Sequence, residues 1–106
     1  MSSDAYLSRA KIIRLTVGNK VHRHIDRGEY CRLHDRYLLA FTRSERCSIC
    51  IDGQTVEIHQ GDLWWFNNKK SYEIRNNGPV DWIYLLFDLL PSERYYDAFP
   101  SKRPVS

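Results

Sequence analysis

Residues 46–66 read RCSICIDGQTVEIHQGDLWWF. Residues 46–51 form an extended run that stops at Asp52-Gly53, a two-residue hairpin signal because both positions tolerate positive φ. Residues 54–58, QTVEI, then return antiparallel to the run before them. Gly61-Asp62 turns the chain again, and 63–66, LWWF, supply a buried strand. Successive side chains on a strand point to opposite faces. Trp64, Trp65 and Phe66 therefore cannot all face inward, and one of them meets another strand or a partner.

The same grammar extends in both directions. Residues 11–17, KIIRLTV, are β-branched and alternate loosely, and 21–26, VHRHID, are extended. Arg27-Gly28-Glu29 turns the chain into the strand 36–42. Beyond Phe66, Asn67-Asn68 is a turn, 71–75 alternate cleanly, and Asn76-Asn77-Gly78-Pro79 is the strongest loop signal in the chain. Residues 81–88, DWIYLLFD, form the most apolar strand, which Pro91 ends. Residues 92–99 make one or two helical turns with Ser92 as N-cap. Turns thus recur every eight to twelve residues with almost no helical period, which predicts an all-β sandwich or small barrel. The expected fold is a compact double-sheet jelly roll, with one domain over 1–106 and loose ends at 1–10 and 100–106.

Composition excludes several classes. The 106 residues are 42% hydrophobic and 13% aromatic, too rich in ring side chains for a disordered chain. No apolar run approaches the roughly 20 residues that cross a bilayer, and the N-terminus lacks the apolar segment of a secretory signal. Net charge is +3, but the basic residues are interleaved with Asp and Glu, so a clustered nucleic-acid face is not expected. Cysteines number three, which is incompatible with a complete disulfide framework. Cys47 and Cys50 lie three apart on a strand, on opposite faces, and no second pair completes a zinc site. Buried, free thiols imply a reducing, cytoplasmic compartment.

Four stretches carry a resemblance: HRHIDRGEY at 22–30, DRYLLAF at 35–41, IDGQTVEIHQGDLWWFNNK at 51–69 and NNGPVDWIYLLFDL at 76–89. Together they resemble the aspartyl/asparaginyl β-hydroxylases, double-stranded β-helix dioxygenases that use Fe(II) and 2-oxoglutarate. Cupins are the next most similar family. The resemblance implies that His24 and Asp26, as an H-x-D pair on one strand face, are the first two iron ligands, with His22 a competing candidate. It places the third ligand, a histidine in the family, at Tyr72. It puts the arginine that anchors 2-oxoglutarate at Trp82 and a following histidine at Tyr84. An earlier R-Y-H becomes Arg36-Tyr37-Leu38, so Arg36 is retained as a cofactor-binding candidate and the histidine is not.

Strand alternation predicts that Leu38, Tyr72, Trp82 and Tyr84 all face the interior, where they would fill a cavity that an enzyme keeps open and wet. More ordinary roles stand beside these. His24 and Asp26 would serve equally well as a hydrogen-bonded surface pair, and Arg36 as a structural partner of Asp26 or Asp88. His34 and His59 adjoin turns and are expected in solvent. Tyr95, Tyr96 and Phe99 are expected to form a lid on the core.

Three functions follow. The first is a catalytically degenerate hydroxylase-like domain that binds another macromolecule, as an inhibitor or adaptor, including one of viral origin. It needs no cofactor. The second is an active dioxygenase acting on Asp, Asn or a small molecule with Fe(II) and 2-oxoglutarate. The third is a metal-free small-ligand binder of cupin type. A protein partner is expected, as is homodimerisation through exposed strand edges such as 11–17, with the Lys69-Lys70 turn and Arg75 guarding another edge. Membrane association is not expected.

Overall fold

A computed structural model describes residues 5–24, 28–66 and 69–102, with the side chains of residues 22–24 and 66 left out. The described residues form eight strands: β1 (Ala5–Leu15), β2 (Lys20–His24), β3 (Asp35–Ala40), β4 (Cys47–Ile51), β5 (Gln54–Glu57), β6 (Leu63–Phe66), β7 (Tyr72–Asn76) and β8 (Trp82–Pro91). Two short helices, α1 (Glu29–Leu33) and α2 (Ser92–Ala98), complete the fold with a final 3₁₀ turn at Pro100–Lys102. The strands form two four-stranded sheets, ordered β1-β8-β3-β6 and β2-β7-β4-β5, and every pairing is antiparallel. This is the expected jelly roll with a short C-terminal helix.

The turn chemistry works as anticipated at Asp52-Gly53. Both residues have positive φ, 50° and 82°, as a tight hairpin between β4 and β5 requires. Gly78 is needed for a different reason. A Cβ there would lie 2.0 Å from the Glu45 carbonyl oxygen, so only glycine lets the 77–80 loop pass that backbone.

The two sheets enclose the core. In the second sheet, Val21, Ile74, Ile49 and Val56 stand side by side across all four strands. They meet Leu15, Leu38, Ala40, Trp82 and Tyr84 from the first sheet. One polar residue closes this end. The fully buried Asn76 side chain donates to the Leu15 and Val80 carbonyl oxygens, each at 2.9 Å. Its own amide oxygen accepts from the Gly78 N–H at 2.9 Å and the Cys47 thiol at 3.3 Å. Burial pushes the Cys47 thiol up to about 11, with the Glu57 charge adding to it, so this cysteine is an inert packing group. Cys31 is also buried, Cys50 is half-buried, and none of the three cysteines is in a disulfide.

Several local expectations need correction. Strand β1 begins at Ala5 rather than at residue 11, because residues 5–10 pair with the far end of β8. Helix α1 was not foreseen. It is a single turn of five residues that carries no resolvable period. Helix α2 enters from Pro91 without a side-chain cap, so Ser92 is not its N-cap. Arg75 guards no edge, since β7 lies between β2 and β4. His34 is buried instead of solvated, at 6% exposure. Its ring stacks on Tyr30, its Nδ1 donates to the Tyr30 carbonyl oxygen (2.7 Å), and in the neutral ring Nε2 accepts from the Ser8 hydroxyl (2.8 Å). His59 is exposed as expected.

Asn76→Ala should cost about 2–4 kcal/mol, because it strands the buried Leu15 carbonyl oxygen, the part-buried Val80 carbonyl oxygen and the buried Gly78 N–H at once. A melting temperature lower by roughly 10–20 °C is the expected reading for a domain of this size.

Candidate functional site

Strand β8 lies between β1 and β3, and alternate residues along it face the interior. Reading from the closed end, these are Trp82, Tyr84, Leu86 and Asp88. Leu15, Ile13, Lys11 and Arg9 stand beside them on β1, and Ala40, Leu38 and Arg36 on β3. The interior is therefore graded. One end is packed aromatic and aliphatic, and the other carries a row of charge, Arg9–Asp88–Arg36, across three strands.

Between the ends a cavity of about 160 Å³ remains. Arg9, Lys11 and Ile13 of β1 line it together with Tyr84, Leu86 and Asp88 of β8. Arg36 of β3, Val21 of β2, and Tyr72 and Ile74 of β7 complete the wall. Both sheets thus contribute, as strand alternation predicts for a site held between them.

Asp88 is the electrostatic centre. It is 1% exposed. Arg36 grips it with two parallel bonds, Nε to Oδ1 at 2.8 Å and Nη2 to Oδ2 at 3.0 Å. The Tyr30 hydroxyl donates to Oδ2 at 2.9 Å. Burial works against ionising this carboxyl, but the bonds from Arg36 and Tyr30 outweigh it and hold Asp88 below the ordinary carboxylate value. The same contact works the other way on Tyr30. Burial first, then the Asp88 carboxylate it serves, pushes its phenol up to about 12. The Arg9 guanidinium lies 4.0 Å over the Tyr30 ring, a cation–π contact at the cavity rim.

Two polar atoms at the packed end are sealed from solvent and have no hydrogen-bond partner among the described residues: the Trp82 indole N–H and the Tyr84 hydroxyl. Their rings touch, with centroids 4.5 Å apart. Burial, and then the neighbouring Tyr72, raise the Tyr84 phenol well above its usual range, so it stays protonated and a donor.

The structure brings most of the sequence candidates together. Leu38, Tyr72, Trp82 and Tyr84 are all interior, between 0% and 2% exposed. Arg36 is the structural partner of Asp88, and its Nη1 also lies 3.4 Å from the Tyr72 hydroxyl. His24 sits on β2 opposite Tyr72 on β7, so the two are register partners. The side chains of His22 and His24 lie outside the described residues, as does Asp26 entirely. Among the described residues there is no cluster of three His, Cys, Asp or Glu side chains. Sequence reasoning missed Arg9, Lys11 and Tyr30. The first two were legible in principle, since Arg9, Lys11, Ile13 and Leu15 alternate on one face of β1.

Residues 1–91 match the aspartyl/asparaginyl beta-hydroxylase family. The chain belongs to that family. No curated protein sequence matches it. Among solved structures, a predicted oxalate decarboxylase from Thermotoga maritima is similar, at 19% identity and a TM-score of 0.65, over 79% of this chain and 67% of that one. A cupin protein from Bacteroides fragilis gives 17% and 0.63, over 76% and 64%. The Schizosaccharomyces pombe Cnp3 cupin domain gives 8% and 0.64, over 92% and 69%. At these identities the likeness is one of fold: a cupin barrel. The chain spans about two thirds of the length of these neighbours.

This hydroxylase-family barrel should show the Asp88 row in its acid sensitivity. A carboxyl with a lowered folded pKa adds stability above its unfolded value, near 4, and loses it as pH falls through the folded value. Urea midpoints should therefore drop as pH falls below about 4. Asp88→Asn should flatten that drop and cost about 2–3 kcal/mol at pH 7, since it leaves Arg36 without its counter-charge.

Proposed function

We propose that this chain is a catalytically degenerate member of the aspartyl/asparaginyl β-hydroxylase family that works by binding a partner macromolecule. The observation that carries this reading is the packing of Leu38, Trp82 and Tyr84, each wholly buried, at positions where the resemblance calls for polar groups. An indole has a single N–H and cannot supply the two parallel donors that hold a keto-acid carboxylate. Tyr72 offers a phenol where the third iron ligand would be an imidazole, a poor substitute on Fe(II). The described residues do not fit Fe(II) with 2-oxoglutarate. The remaining hollow of about 160 Å³ is also smaller than the roughly 300 Å³ at which ordinary small-molecule sites begin.

The rim supports a binding role. Arg9 and Lys11 are exposed on β1, and the one described carboxylate nearby is already held by Arg36 and Tyr30. An anionic side chain, aspartate or glutamate, presented by a protein partner fits this rim. That is the chemistry an inhibitor or adaptor would use. A second reading, a metal-free binder of a free small carboxylate, is favoured by Arg9 and Lys11 on the lining of the cavity.

Calorimetric titrations separate the readings. Poly-L-glutamate should bind the wild type, and the Arg9→Ala/Lys11→Ala pair should weaken it by about tenfold, the sum of two exposed charge contacts. Saturable binding of succinate without metal, in place of the polymer, would favour the second reading. Manganese-dependent binding of N-oxalylglycine, or succinate formed from 2-oxoglutarate with Fe(II) and O₂, would overturn both and restore the dioxygenase.

A further inference from the structure

Strand β1 carries one residue more than β8 at a single point. Leu7 pairs with Leu89 and Arg9 with Asp88, so Ser8 between them pairs with no residue of β8. Such a bulge re-aims a side chain, and bulges are frequent beside active sites. Regular alternation would put Ser8 and Arg9 on opposite faces, yet both turn to the segment around α1. The Ser8 hydroxyl meets His34, the residue that closes α1, and the Arg9 guanidinium lies 4.0 Å over the Tyr30 ring. Ser8 is exposed, whereas His34 is buried.

The proton positions in this pair follow from its partners. His34 Nδ1 lies 2.7 Å from the Tyr30 carbonyl oxygen, which can only accept, so Nδ1 carries the proton. In the neutral ring Nε2 is then a bare acceptor, and Ser8 donates to it at 2.8 Å. Two further contacts fix the base. Its ring stacks on Tyr30, with centroids 3.8 Å apart and planes within 16°, and Tyr30 is itself anchored by its hydroxyl on Asp88 at 2.9 Å. Lys69 Nζ donates to the His34 carbonyl oxygen at 3.3 Å. A hydroxyl, a base within hydrogen-bond reach and a third group that orients the base are the parts of an activated nucleophile.

We propose that Ser8 is a nucleophile for acyl transfer, with His34 as its general base and a carboxylic ester as the substrate class. Ser8 Oγ bonds to the ester carbonyl carbon while its proton passes to His34 Nε2. The ester C–O bond breaks, the departing alkoxide takes that proton and leaves as an alcohol, and the acyl group stays on Ser8. Water, deprotonated by the same nitrogen, then releases the acyl group as a carboxylic acid and restores the hydroxyl. Arg9, next to Ser8 and turned the same way, sets a positive charge beside the pair, the sign that favours the oxyanion formed at the carbonyl. Two features set this pair apart from a bond that only ties α1 to β1: the base is shielded from bulk water, and the hydroxyl that reaches it is open to solvent. The inference does not depend on what occupies the cavity.

Reaction of the full chain with para-nitrophenyl acetate, followed by peptide mass mapping, tests the proposal. Acetyl should appear on Ser8 about a hundredfold faster than on Ser101, an exposed serine of the 3₁₀ turn, since a positioned base contributes that much or more. Acetylation of Ser8 should slow in heavy water, because its proton moves to Nε2 in the transition state. Ser8→Ala should leave only the slow background release of para-nitrophenolate. His34→Phe, which keeps a ring to stack on Tyr30, should bring Ser8 down to the rate of Ser101. If that variant fails to fold, the comparison of Ser8 with Ser101 in the unaltered chain decides alone. Equal rates at the two serines, or acetyl on lysines and the amino terminus only, would overturn the proposal. So would a fast Ser8 that neither heavy water nor His34→Phe slows, which would leave the Ser8–His34 bond a structural tie.

Discussion

Alternation along β8 is the constraint from which the rest follows. A strand in the middle of a sheet must serve two faces with consecutive residues, and β8 separates them cleanly. Trp82, Tyr84, Leu86 and Asp88 go inward, and Ile83, Leu85, Phe87 and Leu89 go outward. A register slip of one residue would place Asp88 outside and bring Phe87 into the charged row, so the flanking strands must hold register tightly. Ten pairs to β1 and six to β3 do so. The Arg36–Asp88 grip adds a polar lock at one end, and Asn76 adds another by tying the start of β8 to the end of β1.

The graded interior follows from that register. Apolar bulk gathers where both sheets close, and ionic groups sit where water can reach their outer atoms. Arg36 is 20% exposed on its side chain while Asp88 is 2%, so the carboxylate is desolvated and the guanidinium only partly so. Such a pair keeps two bonds and a third donor from Tyr30 to offset the loss of water around Asp88. The row is therefore less a source of net stability than a fixed arrangement of charge at the cavity mouth.

The strands, the hairpin at Asp52-Gly53 and the inward set Leu38, Tyr72, Trp82 and Tyr84 were legible in the sequence, because each rests on period-two alternation or on turn residues that need positive φ. The partnership of Arg36 with Asp88 was one of two options that alternation left open. Helix α1 was not legible, since one turn has no period. Nor were Tyr30 and His34, whose placement depends on how α1 sets them against Ser8 and Arg9 of β1 and Asp88 of β8. Arg9 was hidden by a local rule: a polar stretch at a chain end reads as loose, whereas here pairing with the far half of β8 orders it. Lys11 stood in the expected strand 11–17, but which face it took was not settled there. Rows that cross the sheet, such as Ile12, Leu85, Leu39 and Leu63, could not be read at all until register was known, because their members come from four separate segments.

The packed end also shows which force prevails there. The Trp82 indole N–H and the Tyr84 hydroxyl are buried without partners among the described residues, and each such group costs about 1–3 kcal/mol. Full burial of a large side chain returns about 1.5–3 kcal/mol, and the Trp82–Tyr84 contact adds up to about 1.5 more. The balance is close to even, so these two residues contribute little net stability. Their physical effect is on shape. Tyr84 lines the hollow and Trp82 lies in the core beside it, while Arg9 and Lys11 set positive charge on the lining. On the function proposed above, a space of about 160 Å³ so bounded admits the end of an acidic side chain, and its small size supports that reading as much as any single replaced ligand does.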